Sequence, residues 1–428
     1  VSARPRVRLI RRSLGTAAVA SCLVASSAGA QQPAPPTATT PTPAPPAPPA
    51  PTTPPTTPRP GRLHLAGPAL RATGIGFSVR ASSATPRSRV ELEQLGQDGE
   101  WHRVGRARTD ESGAATIAVD GDPETSRFRL RATGADHLPS KAITVRTRDV
   151  TLDAFGDANV GDGVADAMDR LGTTYPWSGV APTLKAADIA FGNLECSIST
   201  RGTALVKEFT FRGSPTRLKE IVRYAGLDVL NLANNHVGDF GPAALVDTIR
   251  NVRASGALAV GAGYDVQDAA KPRVVTRLGL RVAFVGFSDI NPAGFGAGPS
   301  TPGTQFATPE AIAASVKAAK RRADVVVATF HWGIERDPHE NARQRAFADE
   351  ALAAGASAVI GAHPHVLQPI RSAGPHRVVA YSLGNFVWSA GSPSSAATGI
   401  LQLDLSTRGV ERYDLQHATI VDSRPRLD

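Results

Sequence analysis

Two histidines, His363 and His365, stand one residue apart in GAHPHV, directly after the apolar run SAVIG. Neutral imidazoles are common metal ligands, and two of them side by side at the end of a buried run suit a cation better than a packed core. The same kind of ending recurs. VTLDAF is followed by Asp157 and Asn159, DIAF by Asn193 and Glu195, and LDVLNLA by Asn234, Asn235 and His236. DVVVATF leads to His331 and Glu335, SAVIGA to His363 and His365, and VVAYSL to Asn385. Carboxylate, amide and imidazole donors without a thiolate suit Mn, Fe or Zn. A carboxylate that bridges two such cations holds them about 3.5–4 Å apart, a geometry suited to in-line phosphoryl chemistry. A lone buried histidine is ordinarily a satisfied core residue, which does not explain four at strand ends among acids and amides. For Asn193 and Asn385, turn capping is as good an explanation as ligation. Glu335 reads as a support for the ligands rather than a ligand.

These residues need elements to bring them together. From about Asp149 onward, short β-branched runs alternate with Ala-rich segments, which predicts an α/β domain whose strands are buried on both faces. Helices are expected at 242–254, 308–322 and 341–354. Pro242 and Pro309 suit the first helical position, and Thr308 is a good N-cap. In an open α/β sheet, ligands bind beyond the carboxyl ends of the strands. If the six runs are neighbours, their polar tips meet in one crevice.

Residues 61–147 read differently. SRVELEQLG and SRFRLRATG alternate apolar and polar residues, and Gln97-Asp98-Gly99 and Glu111-Ser112-Gly113 look like hairpin turns. Short strands at this spacing predict a small all-β sandwich. No metal or nucleophile constellation lies in it, so a spacer or adhesion role is the expectation.

The front of the chain is a third region. Residues 1–30 have a basic start, a stretch of small apolar residues and Ala28-Gly29-Ala30 before Gln31, which predicts an export signal cleaved after Ala30. The apolar stretch falls short of the about 20 residues a membrane span needs. Arg11-Arg12 resembles a twin-arginine signal only loosely, and lipidation at Cys22 ranks below plain cleavage. Residues 31–60 form a Pro/Thr/Ala-rich linker holding 14 of the 34 prolines, an extended spacer by composition. An exported, cell-envelope or extracellular protein with no transmembrane helix in its mature chain is expected. The chain has only two cysteines, which excludes a disulfide framework. The net charge of +9 is spread over 428 residues without basic residues interleaved with aromatics, so no nucleic-acid partner is expected.

GDANVGDG, FGNLECSIS, LNLANNHVGDFG, HWGIE, GAHPHV and YSLGNF resemble, in this order, the motifs of the CapA family of poly-γ-glutamate capsule proteins, within the calcineurin-like metallophosphoesterases. The resemblance covers roughly residues 150–390. It implies a four-layer α/β/β/α metallophosphoesterase-like sandwich over 148–428, preceded by the small all-β sandwich, with two divalent metal ions at the strand ends. It implies that Asp157 and His365 bind the first metal and His331 and His363 the second. Glu195, or else Asn193, would bridge, Asn235 would supply an amide ligand, and His236 would act as general acid. Asn234, Asn159 and Asn385 are further ligand or supporting candidates, and Arg212 is a candidate anion contact. The chain departs from the superfamily pattern in several places. Asn159 stands where a histidine is usual, and Gly-Asn-Leu-Glu replaces the usual Gly-Asp, which moves the bridge to Glu195. Val237 replaces the carboxylate that orients the acid, with Asp239 as its substitute, and Ala362 replaces a common histidine before His363.

Two functions follow from this resemblance. One is metal-dependent hydrolysis of a phosphoester in the synthesis or export of polyglutamate capsule. The other is a non-catalytic surface factor that binds or anchors an anionic polymer within the cell-envelope capsule machinery.

Overall fold

The computed structural model describes residues 60–83, 85–290 and 292–428. The expected leader at 1–30 and, save for Pro60, the spacer at 31–60 lie outside them. The described residues form one compact unit of mixed α/β structure.

Two large sheets build the part that carries the site. In the eight-stranded sheet, Leu258–Val260, Val229–Asn231, Ile189–Leu194 and Val150–Ala158 run side by side in parallel. Ala397–Ser406, Gly409–Val421 and Arg424–Leu427 continue it antiparallel, and Asn385–Val387 pairs with the end of Val150–Ala158. The six-stranded sheet has the order Arg273–Arg277, Leu280–Ser288, Val325–His331, Ala358–Ala362, Val378–Ala380, Ile370–Ser372. One apolar cluster draws residues from both sheets, among them Leu152, Phe191, Phe284 and Val327. A second joins the eight-stranded sheet to helices through Phe155, Leu218, Leu245 and Ile249. A third joins the six-stranded sheet to helices through Phe287, Ile312, Val316 and Phe347. Strands covered on both faces are mostly apolar until they end, Asp153 in Val150–Ala158 being an exception. All seven residues of Val325–His331 are buried, and the first polar side chain large enough to ligate is the terminal histidine.

The three expected helices form at Pro242–Ser255, Pro309–Lys320 and Ala342–Ala354. The Thr308 hydroxyl accepts from Ala311 N (3.2 Å), as its sequence position predicts. Asn341 and Gln344 close a reciprocal capping box at the third helix.

Residues His64 to Arg148 hold eight strands and, among the described residues, no helix. Three of them, His64–Ala66, Phe77–Ser82 and Ala114–Val119, make one sheet; Leu70–Ala72, Ile143–Arg148, Arg127–Thr133, Arg89–Leu95 and Trp101–Arg108 make another. Val79, Ile117, Leu92, Phe128 and Leu130 share a core between them. The turn at Gly99 closes a hairpin, with Gly99 at φ +82°. The turn at Gly113 does not, and this corrects the sequence reading. Asp110 Oδ1 accepts from Ser112 N and Ala114 N (2.8 and 3.0 Å), and the chain crosses from one sheet into the other. This region also meets the larger sheets. Ala72 N donates to Leu278 O (2.9 Å), Arg408 pairs with Glu124 (2.6 Å), and Ile75 packs on the cluster between the sheets. Among the described residues no helix is long and apolar enough to cross a membrane.

Candidate metal centre

The parallel strands of both sheets end at one place. The eight-stranded sheet contributes Asp157, Asn193, Glu195, Asn235 and His236, and the six-stranded sheet contributes His331, His363 and His365. A register shift sets Asp157 directly opposite Asn193, because Gly192 pairs with Phe155 and Gly156 is the extra residue. Gly156 has to be glycine, since a Cβ there would lie 1.9 Å from Gly384 O. That close approach lets Gly384 O accept from Asp157 N (2.9 Å) and brings Asn385 alongside. Across the sheets, His363 N donates to Asp157 Oδ2 (3.1 Å). His363 (φ +99°) and His365 (φ +59°) both adopt left-handed backbone, a strain of about 1–3 kcal/mol each that the surrounding packing sustains.

Glu195 Oε1 is the hub. It is buried, it lacks a hydrogen-bond partner among the described residues, and three imidazoles aim at it. His331 Nε2 lies at 3.4 Å, His365 Nε2 at 3.9 Å and His236 Nε2 at 4.0 Å. Asn235 Oδ1 sits 2.8 Å from His331 Nε2, directed at the same space. Two groups of donors have spacing suited to a cation, one from Asp157, Glu195 and His331 and one from Glu195, His363 and His365. Glu195 belongs to both, which is the position a bridging carboxylate occupies. The grouping pairs His331 with Asp157 and His363 with His365, whereas the family motifs pair His331 with His363. The residues fit divalent cations on a second ground. His363 Nδ1, like Glu195 Oε1, is a buried polar atom without a partner among the described residues, and such atoms are costly unless something satisfies them.

Around these donors lies a frame of amides. Asn193 Nδ2 donates to Asp157 Oδ1 (2.7 Å) and reaches Glu195 Oε2 and His331 Nδ1 at 3.3 Å. Its Oδ1 accepts from Asn231 Nδ2 (2.9 Å) and Asn234 Nδ2 (3.2 Å), so this amide oxygen is already satisfied whereas Glu195 Oε1 is not. Asn234 Oδ1 accepts from His236 N and Val237 N, shaping the turn that carries His236. Asn385 Oδ1 lies 2.9 Å from His365 Nδ1, and Asp157 Oδ2 lies 3.2 Å from the same nitrogen, so both partners orient the ring. His236 Nδ1 pairs with Asp239 Oδ2 (2.7 Å), which turns Nε2 toward the centre. Asp239 therefore holds the His236 ring, a contact that Val237 could not make.

Burial decides the protonation preferences. It pushes Glu195 well above the usual carboxylate range, and the Asp157 charge beside it adds to this. Burial works the same way on Asp157, but the His365 hydrogen bond and charge outweigh it and hold Asp157 below that range. Burial and the neighbouring imidazoles keep His331 neutral and bring His363 down to about 4. For His365 burial is overcome by the bond to Asp157, and its pKa rises. Burial lowers His236 against the opposing pull of Asp239. Asp157, His331 and His363 thus favour the ionised carboxylate and neutral imidazoles that a cation takes. Glu195 and His365 favour their protonated forms, so a cation bound there would displace protons.

Three of the sequence candidates stand apart from the donors. Asn159 Oδ1 accepts from Gly161 N (2.8 Å) and caps the turn after its strand. Arg212 donates to Arg201 O and Gly202 O (3.0 and 2.9 Å) and lies over the Phe240 ring, so its contacts hold a loop. Glu335 is exposed, and its charge reaches Glu195 and His365 only through space. Four other residues matter that sequence reasoning missed. Asn231 fixes Asn193. Lys207 Nζ donates to Asp239 Oδ1 and to Asn235 O (2.8 Å each), tying down the partner of His236 and the backbone of Asn235 together. Phe211 stacks on His236 (centroids 4.2 Å), and Trp388 packs at a tilt against His365 (4.8 Å). Asn231 was the one with a signal, lying in LNLANN; a single lysine in a polar loop gives none.

By fold and donor chemistry this is a mixed α/β protein that gathers carboxylate, amide and imidazole donors at its strand ends. The sequence comparisons add its lineage. Residues 151–390 match the family described as bacterial capsule synthesis protein PGA_cap, and the chain belongs to that family. It is similar to the PGA biosynthesis protein CapA of Bacillus subtilis, with 33% identity over 273 residues, 63% of this chain and 71% of the relative. It is similar to the capsule biosynthesis protein CapA of Bacillus anthracis, with 32% identity over 284 residues, 65% and 69% of the two chains. A probable polyglutamine synthesis accessory protein of Mycobacterium tuberculosis is 30% identical over 210 residues, 46% of this chain and 55% of that one.

Proposed function

We propose that the protein is an exported metal-dependent phosphoesterase serving the synthesis or export of a polyglutamate capsule. The observation that carries this reading is Glu195 Oε1, a buried and unpartnered carboxylate oxygen common to both donor groups. The three apolar clusters in turn support an α/β/β/α layering of residues 148–428.

Asp157, Glu195, Asn235, His331, His363 and His365 hold two ions of Mn, Fe or Zn type. Bound there, the cations supply Lewis-acid stabilisation of charge on phosphoryl oxygens and make water acidic enough to serve as nucleophile near neutral pH. The chain's own contribution is preorganisation. The amide frame fixes the donors before substrate arrives, and the buried setting strengthens every charge interaction. His236, aligned by Asp239 and stacked on Phe211, is placed to protonate the departing oxygen. Elemental analysis of the purified protein, with a phosphomonoester and phosphodiester screen in added Mn²⁺, tests the reading. One to two ions per chain and hydrolysis lost in His236→Ala support it; a protein free of metal after reconstitution refutes it.

Asn159 favours a second reading, since its amide caps a turn where the superfamily has a ligand. A centre with fewer ligands suits a factor that binds an anionic polymer without cleaving it. Stoichiometric metal without turnover of any phosphoester would select that alternative.

A further inference from the structure

Arginines that are scattered along residues 61–148 gather on one face. This segment contains thirteen arginines and one lysine. Strand register determines where they go. In the five-stranded sheet Val90, Leu92, Phe128, Leu130 and Val145 point into the core. Their strand neighbours point the other way, and the pairings keep them in step: Arg89 opposite Arg108, Glu91 opposite Arg106, Arg127 opposite Arg146. Two guanidinium groups on this face are neutralised, Arg103 by Glu91 (3.1 Å) and Arg131 by Glu93 (2.7 Å). Six are not. Arg89, Arg106, Arg108, Arg127, Arg129 and Arg146 are exposed, and among the described residues none has a carboxylate within ion-pair distance. Arg127 and Arg146 lie directly opposite each other and line a shallow recess of about 430 Å³. Like charges directly opposite one another destabilise a sheet, so this face carries a cost in the isolated protein.

We propose that the outer face of this sheet is a docking surface for an acidic polypeptide, whose carboxylates pair with these guanidinium groups. The polymer's identity rests on the function proposed above; the face itself does not, because it precedes the residues 151–390 that match the family. Neighbouring strands are about 4.8 Å apart and alternate residues along a strand about 6.6 Å apart. This makes a flat grid of planar cations, each able to take a carboxylate in two parallel hydrogen bonds. Single-stranded nucleic acid would look for stacking platforms. The face's tryptophan, Trp101, is already covered by Arg131 at 4.3 Å. An anionic membrane surface would look for apolar side chains to insert. Val104, at the bulge of the edge strand, is the one exposed large apolar residue in these five strands.

The test uses the full chain and a fluorescently labelled poly-γ-glutamate. Arg127→Gln/Arg129→Gln/Arg146→Gln should bind about 10-fold more weakly, with a shallower salt dependence. The charge-matched control Arg223→Gln/Arg321→Gln/Arg322→Gln should bind like the parent. A chelator should leave polymer binding intact, which separates this surface from the metal centre. Unchanged binding in the triple variant, or an equal loss in the control, overturns the proposal. So does loss of binding on chelation, or tighter binding of a DNA oligomer or phosphatidylglycerol vesicles than of the polymer at the same salt. Thermal unfolding at the parental temperature shows that a weakened variant is folded.

Discussion

The strand-end centre and the arginine face both gather like-minded polar residues from distant parts of the chain, and they differ in burial. Asp157, Glu195 and His331 are 0% exposed, whereas the six arginines lie in solvent. In the centre, charge has been taken out of water, so each donor needs either a partner or a cation, and amides such as Asn193 and Asn231 exist to hold donors apart and in line. On the sheet face, water and salt already solvate the charge, so repulsion is modest and no frame is needed. Burial therefore separates a place where single residues decide the chemistry from one where only the sum counts.

The largest expected effect tests the hub. Glu195→Gln keeps the shape and removes the charge. Metal affinity should fall by about 100-fold or more, measured by competition with a chelating dye. The metal-free variant should unfold at a temperature no lower than the parent, because a buried carboxylate no longer lacks compensation. A parent-like affinity would show that Glu195 is not a shared ligand. Asn385→Ala should weaken metal by about 10-fold, since it orients His365 without ligating; no change in titration would assign that task to Asp157 alone.

A smaller effect lies away from the centre. Asp153 is buried near Asp404 on Val150–Ala158, the strand that also carries Asp157, and burial pushes its pKa up to about 6. Its folded form holds a proton that the unfolded chain releases near pH 4. Stability contributed by the protonated form is thus lost as pH rises from about 4 to about 6. Asp153→Asn should raise stability at pH 7.5 by about 1 kcal/mol, allowing for solvent screening, and leave it unchanged near pH 4. Paired thermal melts at the two pH values check this. The smallest effect belongs to the other side of the comparison. Arg127→Gln or Arg129→Gln should change unfolding free energy by under about 0.5 kcal/mol. A loss of several kcal/mol in a urea titration would mean that the face is built into the fold rather than open to a partner.

Much of the centre was legible because parallel strands buried on both faces read as apolar runs. The polar residues that follow those runs then mark the carboxyl ends, and those ends meet at one rim. Asp153 inside Val150–Ala158 shows that a polar residue can also be buried within a run. The Thr308 cap and the helix at Pro309–Lys320 were legible for a local reason, since capping involves residues three apart. The turn at Gly113 misled because a local turn sequence does not say whether the next strand stays in the same sheet. The roles of Asn159 and Arg212 followed family position, while their actual hydrogen bonds go to nearby backbone.

Composition and periodicity, then, determined which residues are buried, where strands stop and which donor types stand at their ends, because hydrophobic patterning and capping act over a few residues. Tertiary structure alone decided that Glu195 lies within 4.0 Å of three imidazoles from three chain segments, that Lys207 anchors Asp239, and that arginines from four strands share a surface. Those facts depend on register and sheet order. Both are fixed by packing between residues far apart in sequence, and no local pattern encodes that.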